Sequence, residues 1–160
     1  MKAKSQKESL ALLQQMCSKR EYCLHDVYQK LMQWKAEKYF DDLSQLLMAD
    51  KFIDEVRFCR AYIRDKARFS KWGMQKIKYS LYSKNISDTT IDEAMADCDL
   101  DFYSEMVREE LSKKIKSLHK EEDEFKKKQK VLRFAQSRGY EMELINKVLN
   151  ALGESKDLEC

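Results

Sequence analysis

The chain has 160 residues, 43% hydrophobic and 37% charged, with a formal net charge of +3, which allows one domain or a short array of small units with thin, charge-ringed cores. It has no proline and only three glycines, Gly73, Gly139 and Gly153, too few turn residues for a β-rich fold, so an all-α chain is expected. No run approaches the roughly 20 apolar residues of a membrane helix, and the polar start Met1-Lys2-Ala3-Lys4-Ser5 leads into no apolar signal region, so a cytoplasmic protein with no membrane partner is expected.

Helical periodicity runs through the sequence. A first helix over 5–16 carries Leu10, Leu13 and Met16 on one stripe. Ser18, with Glu21 three residues on, reads as the capping box of a second helix bearing Tyr22, Val27, Leu31 and Trp34. Asp41 or Asp42 caps a short helix with Leu43, Leu46 and Leu47. Asp54 begins a helix to about Ala67, with Val56, Phe58, Cys59, Tyr62 and Ile63 on one side and Arg57, Arg60, Arg64 and Arg68 on the other. Trp72-Gly73 breaks the pattern, and Met74, Ile77 and Leu81 open the next helix. Ser87 caps a helix with Ile91, Ala94 and Met95, and Asp101 opens a long one to about Lys120. A last pair covers about 125–137 and 141–152.

An internal repeat organises these elements. Ile77-x3-Leu81-x4-Ile86-x4-Ile91 matches Val131-x3-Ala135-x4-Tyr140-x4-Ile145 at every step. Asn85 and Gly139 occupy the turns, and both residue types tolerate the left-handed conformation of a helix C-cap. The stretch from Val27 and Leu31 to Leu43 fits with about two residues inserted. A helix pair alone cannot bury its apolar face, so the expected architecture is an elongated array of three tandem three-helix repeats of helix-turn-helix type. The expected boundaries are 1–53, 54–100 and 101–153, with a flexible tail over 154–160.

Charge is segregated along the chain. Residues 57–84 carry nine positive charges and one negative, residues 87–110 one positive and nine negative, and residues 111–138 ten positive and four negative. A basic block attracts nucleic acid or an acidic protein groove, and blocks of opposite sign can also neutralise each other within the fold. Five cysteines, Cys17, Cys23, Cys59, Cys98 and Cys160, form no CxxC pair and read as reduced thiols. Asp97, Asp99 and Asp101 alternate like the start of a calcium loop, but Phe102 and Arg108 stand where glycine and glutamate belong. His25 and His119 lack ligand partners at metal spacing, and no phosphate-cradling loop or nucleophile motif occurs, so neither cofactor nor enzymatic activity is expected.

Several segments carry a family resemblance. Cys17-Ser18-Lys19-Arg20-Glu21-Tyr22-Cys23 and Lys30-Leu31-Met32-Gln33-Trp34 resemble the first repeat of RecX proteins. Phe52-Ile53-Asp54-Glu55-Val56-Arg57-Phe58-Cys59-Arg60-Ala61-Tyr62-Ile63 is similar to that family's apolar-Asp-Asp/Glu-x-Arg-Phe/Tyr-Ala core. Lys71-Trp72-Gly73-x2-Lys76-Ile77 resembles its glycine turn, and Arg133-Phe134-Ala135-Gln136-Ser137-Arg138-Gly139-Tyr140 its RG-aromatic element. The likeness covers about residues 17–150. Cys59 stands where alanine is usual, and Lys35 where many relatives have glycine, which suggests a longer turn there. The resemblance implies a monomeric regulator that lies in the groove of the RecA–DNA filament, blocks its extension and damps its ATPase, strand-exchange and coprotease activities. Single- or double-stranded DNA is a further candidate partner.

The candidate contact residues for RecA or DNA are Arg57, Arg60, Arg64, Lys66, Arg68, Lys71, Lys76, Lys78 and Lys84, with Tyr79 and Tyr82 opposite Ile77 and Leu81. Arg57 could instead pair internally with Asp54. Lys126, Lys127, Lys128, Lys130 and Arg133 form a second basic patch, which Glu121, Glu122, Asp123 and Glu124 could quench through i,i+4 pairing. The competing readings are a helix-turn-helix protein that binds duplex DNA directly and a helical-repeat scaffold with no DNA partner.

Overall fold

A computed structural model describes residues 2–158, with backbone alone for 154–158. Among these residues there are nine α-helices, one 3-10 turn and no strand. In chain order they are α1 (Gln6–Lys19), α2 (Leu24–Gln33), the 3-10 turn (Glu37–Tyr39), α3 (Phe40–Ala49), α4 (Glu55–Arg68) and α5 (Met74–Ser83), then α6 (Asp88–Ala96), α7 (Leu100–Ser117), α8 (Glu124–Arg138) and α9 (Met142–Leu158). The chain forms two compact units: one runs to Tyr62 and takes in Leu81–Asp97, the other holds Ile63–Ser80 and everything from Cys98 on. Hence α4 and α5 contribute to both.

The repeat spacing is the burial pattern. Ile77, Leu81, Ile86 and Ile91 are buried, and so are Val131, Ala135, Tyr140 and Ile145. In the first unit Leu13, Val27, Leu31, Ala36, Leu43, Leu47 and Ile53 form one core, covered by half-buried Trp34, Phe40 and Phe52. The same turn recurs at each matching site. Lys35, Asn85 and Gly139 take φ of 55°, 60° and 85°. The next residue's N–H then bonds back to the helix: Ala36 to the Leu31 carbonyl at 2.8 Å, Ile86 to Leu81 at 3.4 Å, Tyr140 to Ala135 at 3.1 Å. This six-residue closure satisfies carbonyls that a helix end otherwise leaves bare. Lys35 therefore adopts the left-handed turn itself, contrary to the longer turn expected from its lack of glycine, and does so at a cost of about 1–2 kcal/mol. The inserted residues lie just after it, in the 3-10 turn.

Three helix starts differ from the sequence expectation. Ser18 lies within α1, where its hydroxyl donates to the Gln15 carbonyl at 2.6 Å. Cys23 is the cap of α2, and its N–H donates to Asp26 at 3.2 Å. Neither Asp41 nor Asp42 caps α3, because the 3-10 turn runs straight into it through Tyr39. Asp99 caps α7 in place of Asp101, accepting from the Phe102 N–H at 3.0 Å. Leu46, expected in the α3 stripe, is exposed. The backbone of α9 stays helical through Leu158, across much of the segment expected to be a flexible tail.

Among the described residues Cys17, Cys23, Cys59 and Cys98 are free thiols, and Cys160 lies outside the described residues. Burial pushes Cys23 up to about 12 and Cys59 to about 11, so both stay protonated and unreactive.

Candidate functional site

The stretch from Arg57 to Lys84 was expected to present one basic face, and the structure divides it by what each cation touches. Asp54 stands just before helix α4, and its carboxylate accepts from the Arg57 N–H at 3.1 Å. The helix buries Phe58, Cys59, Ile63 and Ala67, which leaves Arg60, Arg64 and Arg68 exposed on the other side.

Four of the expected contact residues are engaged inside the first unit. Arg57 is not paired with the Asp54 side chain. Its guanidinium donates to Glu21 at 2.7 Å and to the carbonyls of Lys51 and Phe52 at 3.1 and 3.3 Å. Lys84 meets Asp26 at 3.0 Å, with both side chains about three-quarters buried. Burial opposes ionisation of Asp26, but Lys84 and the Cys23 N–H outweigh it and hold the carboxyl below its ordinary value. Burial likewise opposes the charge on Lys84, and Asp26 outweighs it, raising the ammonium above its ordinary value. Arg60 pairs with Asp97 at 2.7 Å in a more exposed contact. The carboxylate of Asp88 acts on Tyr82 and pushes its phenol up.

The remaining residues belong to the second unit. Arg64 is well exposed, and its one ion pair among the described residues is with its neighbour Asp65, at 3.2 Å. Arg68 stacks on Phe102 at 5.2 Å. Lys66 and Lys76 lie over the Trp72 ring, at 4.6 and 4.7 Å from its centre. Lys71 takes a left-handed φ of 59° and its carbonyl accepts from the Tyr140 hydroxyl at 2.7 Å. Lys78 is half-buried, and Tyr79 is 77% exposed. Exposed Phe69 completes the group, and the sequence reading missed it. Its signal was its place just beyond α4, outside the apolar stripe.

The same unit contains a close backbone crossing. Gly73 N–H donates to the Arg138 carbonyl at 2.6 Å, and Gln75 N–H to the Gly139 carbonyl at 3.0 Å. A Cβ on Gly73 would lie 2.3 Å from Gly139 backbone atoms. Tyr103 accepts from the Met74 N–H at 2.9 Å and donates to Glu141 at 3.1 Å.

The second basic patch also splits. Lys130 pairs with Glu121 at 2.6 Å across nine residues, and among the described residues no carboxylate of 121–124 forms an ion pair with a lysine four positions on. Asp123 is taken up in capping α8. Lys130 and Arg133 line an open groove of about 440 Å³ together with Lys114, Phe134 and Ser137. Lys127 and Lys128 line a different depression, beside Leu149 and Asn150 of α9. Among the described residues no group of His, Cys, Asp and Glu could hold a metal ion, and no helix is long and apolar enough to cross a membrane.

Comparison with known proteins matches two stretches to family models. Residues 54–95 match the second three-helix domain of RecX and residues 101–149 the third. The chain is 39% identical to a regulatory protein RecX of Clostridium tetani over 128 residues, covering 79% of this chain and 58% of that protein. It is 34% identical to one from Mannheimia succiniciproducens, covering 78% of this chain and 81% of the relative. The chain thus spans little more than half the length of the Clostridium tetani relative, and 55% of the one from Clostridium acetobutylicum. A crystal structure of regulatory protein RecX superposes with a TM-score of 0.81 at 18% identity, over 91% of this chain and 73% of the other. The crystal structure of RecX from Lactobacillus salivarius gives 0.79 at 18% identity, over 92% and 96%.

Proposed function

Because the chain belongs to the RecX family, we propose that it is a regulator of the RecA recombinase and not an enzyme. It binds RecA filaments and restrains their ATPase, strand-exchange and coprotease activities in DNA repair and the SOS response, acting as a cytoplasmic monomer built of repeats over 1–53, 54–100 and 101–153. The contact surface is the exposed edge of α4 at Arg64 and Arg68, with Tyr79 and Phe69 as apolar contacts. One observation carries this choice: Arg57, Arg60 and Lys84 already have carboxylate partners within the fold, whereas among the described residues Arg64 meets only the carboxylate next to it in sequence. A cation spent on an internal carboxylate has little left for a partner, and exposed aromatics beside free cations suit an interface.

The test is the DNA-dependent ATPase of the cognate RecA. Substoichiometric protein at low salt should slow it, and added salt should relieve the effect. Replacing Arg64 and Arg68 by glutamate should raise the half-inhibiting concentration by about tenfold or more. No slowing at low salt would overturn the proposal. A gel shift of random duplex with no recombinase present would favour direct helix-turn-helix binding to DNA instead.

A further inference from the structure

We propose that Glu55 is a proton-operated latch between the starts of α2 and α4. Protonated, it donates to the Asp26 carboxylate and joins the two helix ends. Ionised, it leaves a buried oxygen without a donor, and the join loosens. The groups involved all lie in the unit that holds α1 to α3. Glu55 is in the first turn of α4 and Asp26 in the first turn of α2. Both Asp26 oxygens have donors: Oδ1 accepts from the Lys84 ammonium at 3.0 Å and Oδ2 from the Cys23 N–H at 3.2 Å. Glu55 is less well supplied, since its Oε2 is buried and has no hydrogen-bond partner among the described residues. Glu21 also has a buried oxygen without a partner, but its other oxygen meets the Arg57 guanidinium at 2.7 Å, so a cation answers its charge. At the start of α2 two carboxylates share one lysine, and Asp26 takes it.

An ionised carboxylate only accepts hydrogen bonds, so Glu55 and Asp26 cannot bond to each other while both are charged. One proton changes this. The acid's O–H is a donor, and each Asp26 oxygen keeps a free lone pair beside the bond it already accepts. The other titratable groups around the site do not compete for that proton. Cys23 and Cys59 stay thiols, and Lys84, on which Tyr62 also acts, is kept charged by Asp26. Burial pushes the Glu55 carboxyl above its ordinary value against the pull of the Leu24 N–H, and the charge of Asp26 adds to the push. The sign follows: a carboxyl held above its unfolded value contributes stability below the unfolded pKa and loses it as pH rises through the folded one. The latch therefore closes towards acid, opposite in sense to Asp26, whose own contribution is lost there.

The experiment titrates the whole chain, labelled with carbon-13 at its glutamate carboxyls, by NMR. Glu55 should titrate above the ordinary glutamate range, and Asp26→Asn should lower its midpoint by about one pH unit or more. Glu55→Gln carries a permanent N–H donor and no charge, so it copies the closed latch. Its unfolding constant in urea should be about threefold or more below the parent's at about pH 8, and the two should converge by about pH 5. Glu93→Gln removes an exposed carboxylate of α6 in the same unit and should stay within about twofold of the parent at both pH values. The proposal fails if Glu55 titrates in the ordinary range or if Asp26→Asn leaves its midpoint in place. It also fails if the Glu55→Gln gain persists undiminished at acid pH, or if Glu93→Gln gives an equal gain, which would make general relief of negative charge the cause. The titration reads the parent chain, so it decides the matter even should Glu55→Gln fail to fold. RecA is absent throughout, so this result and the ATPase result stand or fall separately.

Discussion

In the unit that holds α1 to α3, side-chain ion pairs link stretches distant in sequence: Arg57 to Glu21, Arg60 to Asp97 and Lys84 to Asp26. In the unit that holds α7 to α9, the segment from Ser70 to Lys76 is gripped by backbone and tyrosines. Gly73 and Gln75 bond to the α8–α9 turn, Tyr140 to Lys71, Tyr103 to Met74, and Arg138 to the Ser70 carbonyl. The contrast separates two kinds of specificity. Charge pairs tolerate shape changes but respond to pH and salt, whereas a backbone crossing ignores salt and tolerates no added atom.

The largest expected effect breaks the second kind of join. Gly73→Ala would put a methyl group 2.3 Å from the Gly139 carbonyl carbon and oxygen and 2.4 Å from the Tyr140 nitrogen. All three are backbone atoms, so no rotamer change relieves the overlap. Loss of about 3 kcal/mol or more is expected, read as a lower urea midpoint. Amide exchange resolved by segment should show faster exchange over α7 to α9, with α1 to α3 close to the parent. A variant as stable as the parent would mean that the two backbones can part enough at this crossing to admit a methyl group.

How much of this was legible in the sequence follows the range of each interaction. The spacing Ile77, Leu81, Ile86, Ile91 gave the buried set, and Asn85 and Gly139 marked their turns, because both are local consequences of helix geometry. Cap positions were read less well. Ser18 and Asp101 are good caps by type, but each has a competing neighbour, and only the packed path of the chain selects Cys23 and Asp99. The basic block was visible as charge, but its division was not. Lys84 and Asp26 are 58 residues apart, and nothing in either local pattern announces the pair. The Phe134 groove was half seen: Lys130 and Arg133 were named with the lysine run, while Lys114 comes from another helix.

An intermediate effect tests the first kind of join. Lys84→Met keeps the aliphatic stem but leaves the Asp26 carboxylate, mostly buried, facing Glu55 without a cation. A loss of about 1–3 kcal/mol is expected at neutral pH. The sign with pH follows from the shifts. Asp26 is held below its ordinary value, so its contribution is present above the unfolded pKa and is lost as pH falls through the folded one. Lys84 is raised, so its contribution is present below its unfolded pKa and is lost as pH rises through the folded one. The gap between parent and variant should therefore be widest between about pH 5 and 9 and shrink towards acid. Urea unfolding at neutral and acid pH checks this, and a gap that grows on acidification would show that the pair is not what Lys84 contributes.

The smallest effect sharpens the comparison within the ion pairs themselves. The Arg60 and Asp97 side chains are 48% and 56% exposed, against 25% and 24% for Lys84 and Asp26. Water screens the exposed pair and competes for both groups, so Arg60→Ala should cost only about 0.2–1 kcal/mol. Molar salt should erase most of that difference while leaving much of the Lys84→Met difference in place, since salt screens solvated charges far better than buried ones. The ranking turns on burial and not on distance, because the exposed pair is the shorter one, 2.7 Å against 3.0 Å. Unfolding of the two variants at low and high salt decides it. If Arg60→Ala costs as much as Lys84→Met, contact length outweighs desolvation in this unit, and Arg60 is a structural residue as fully committed as Arg57.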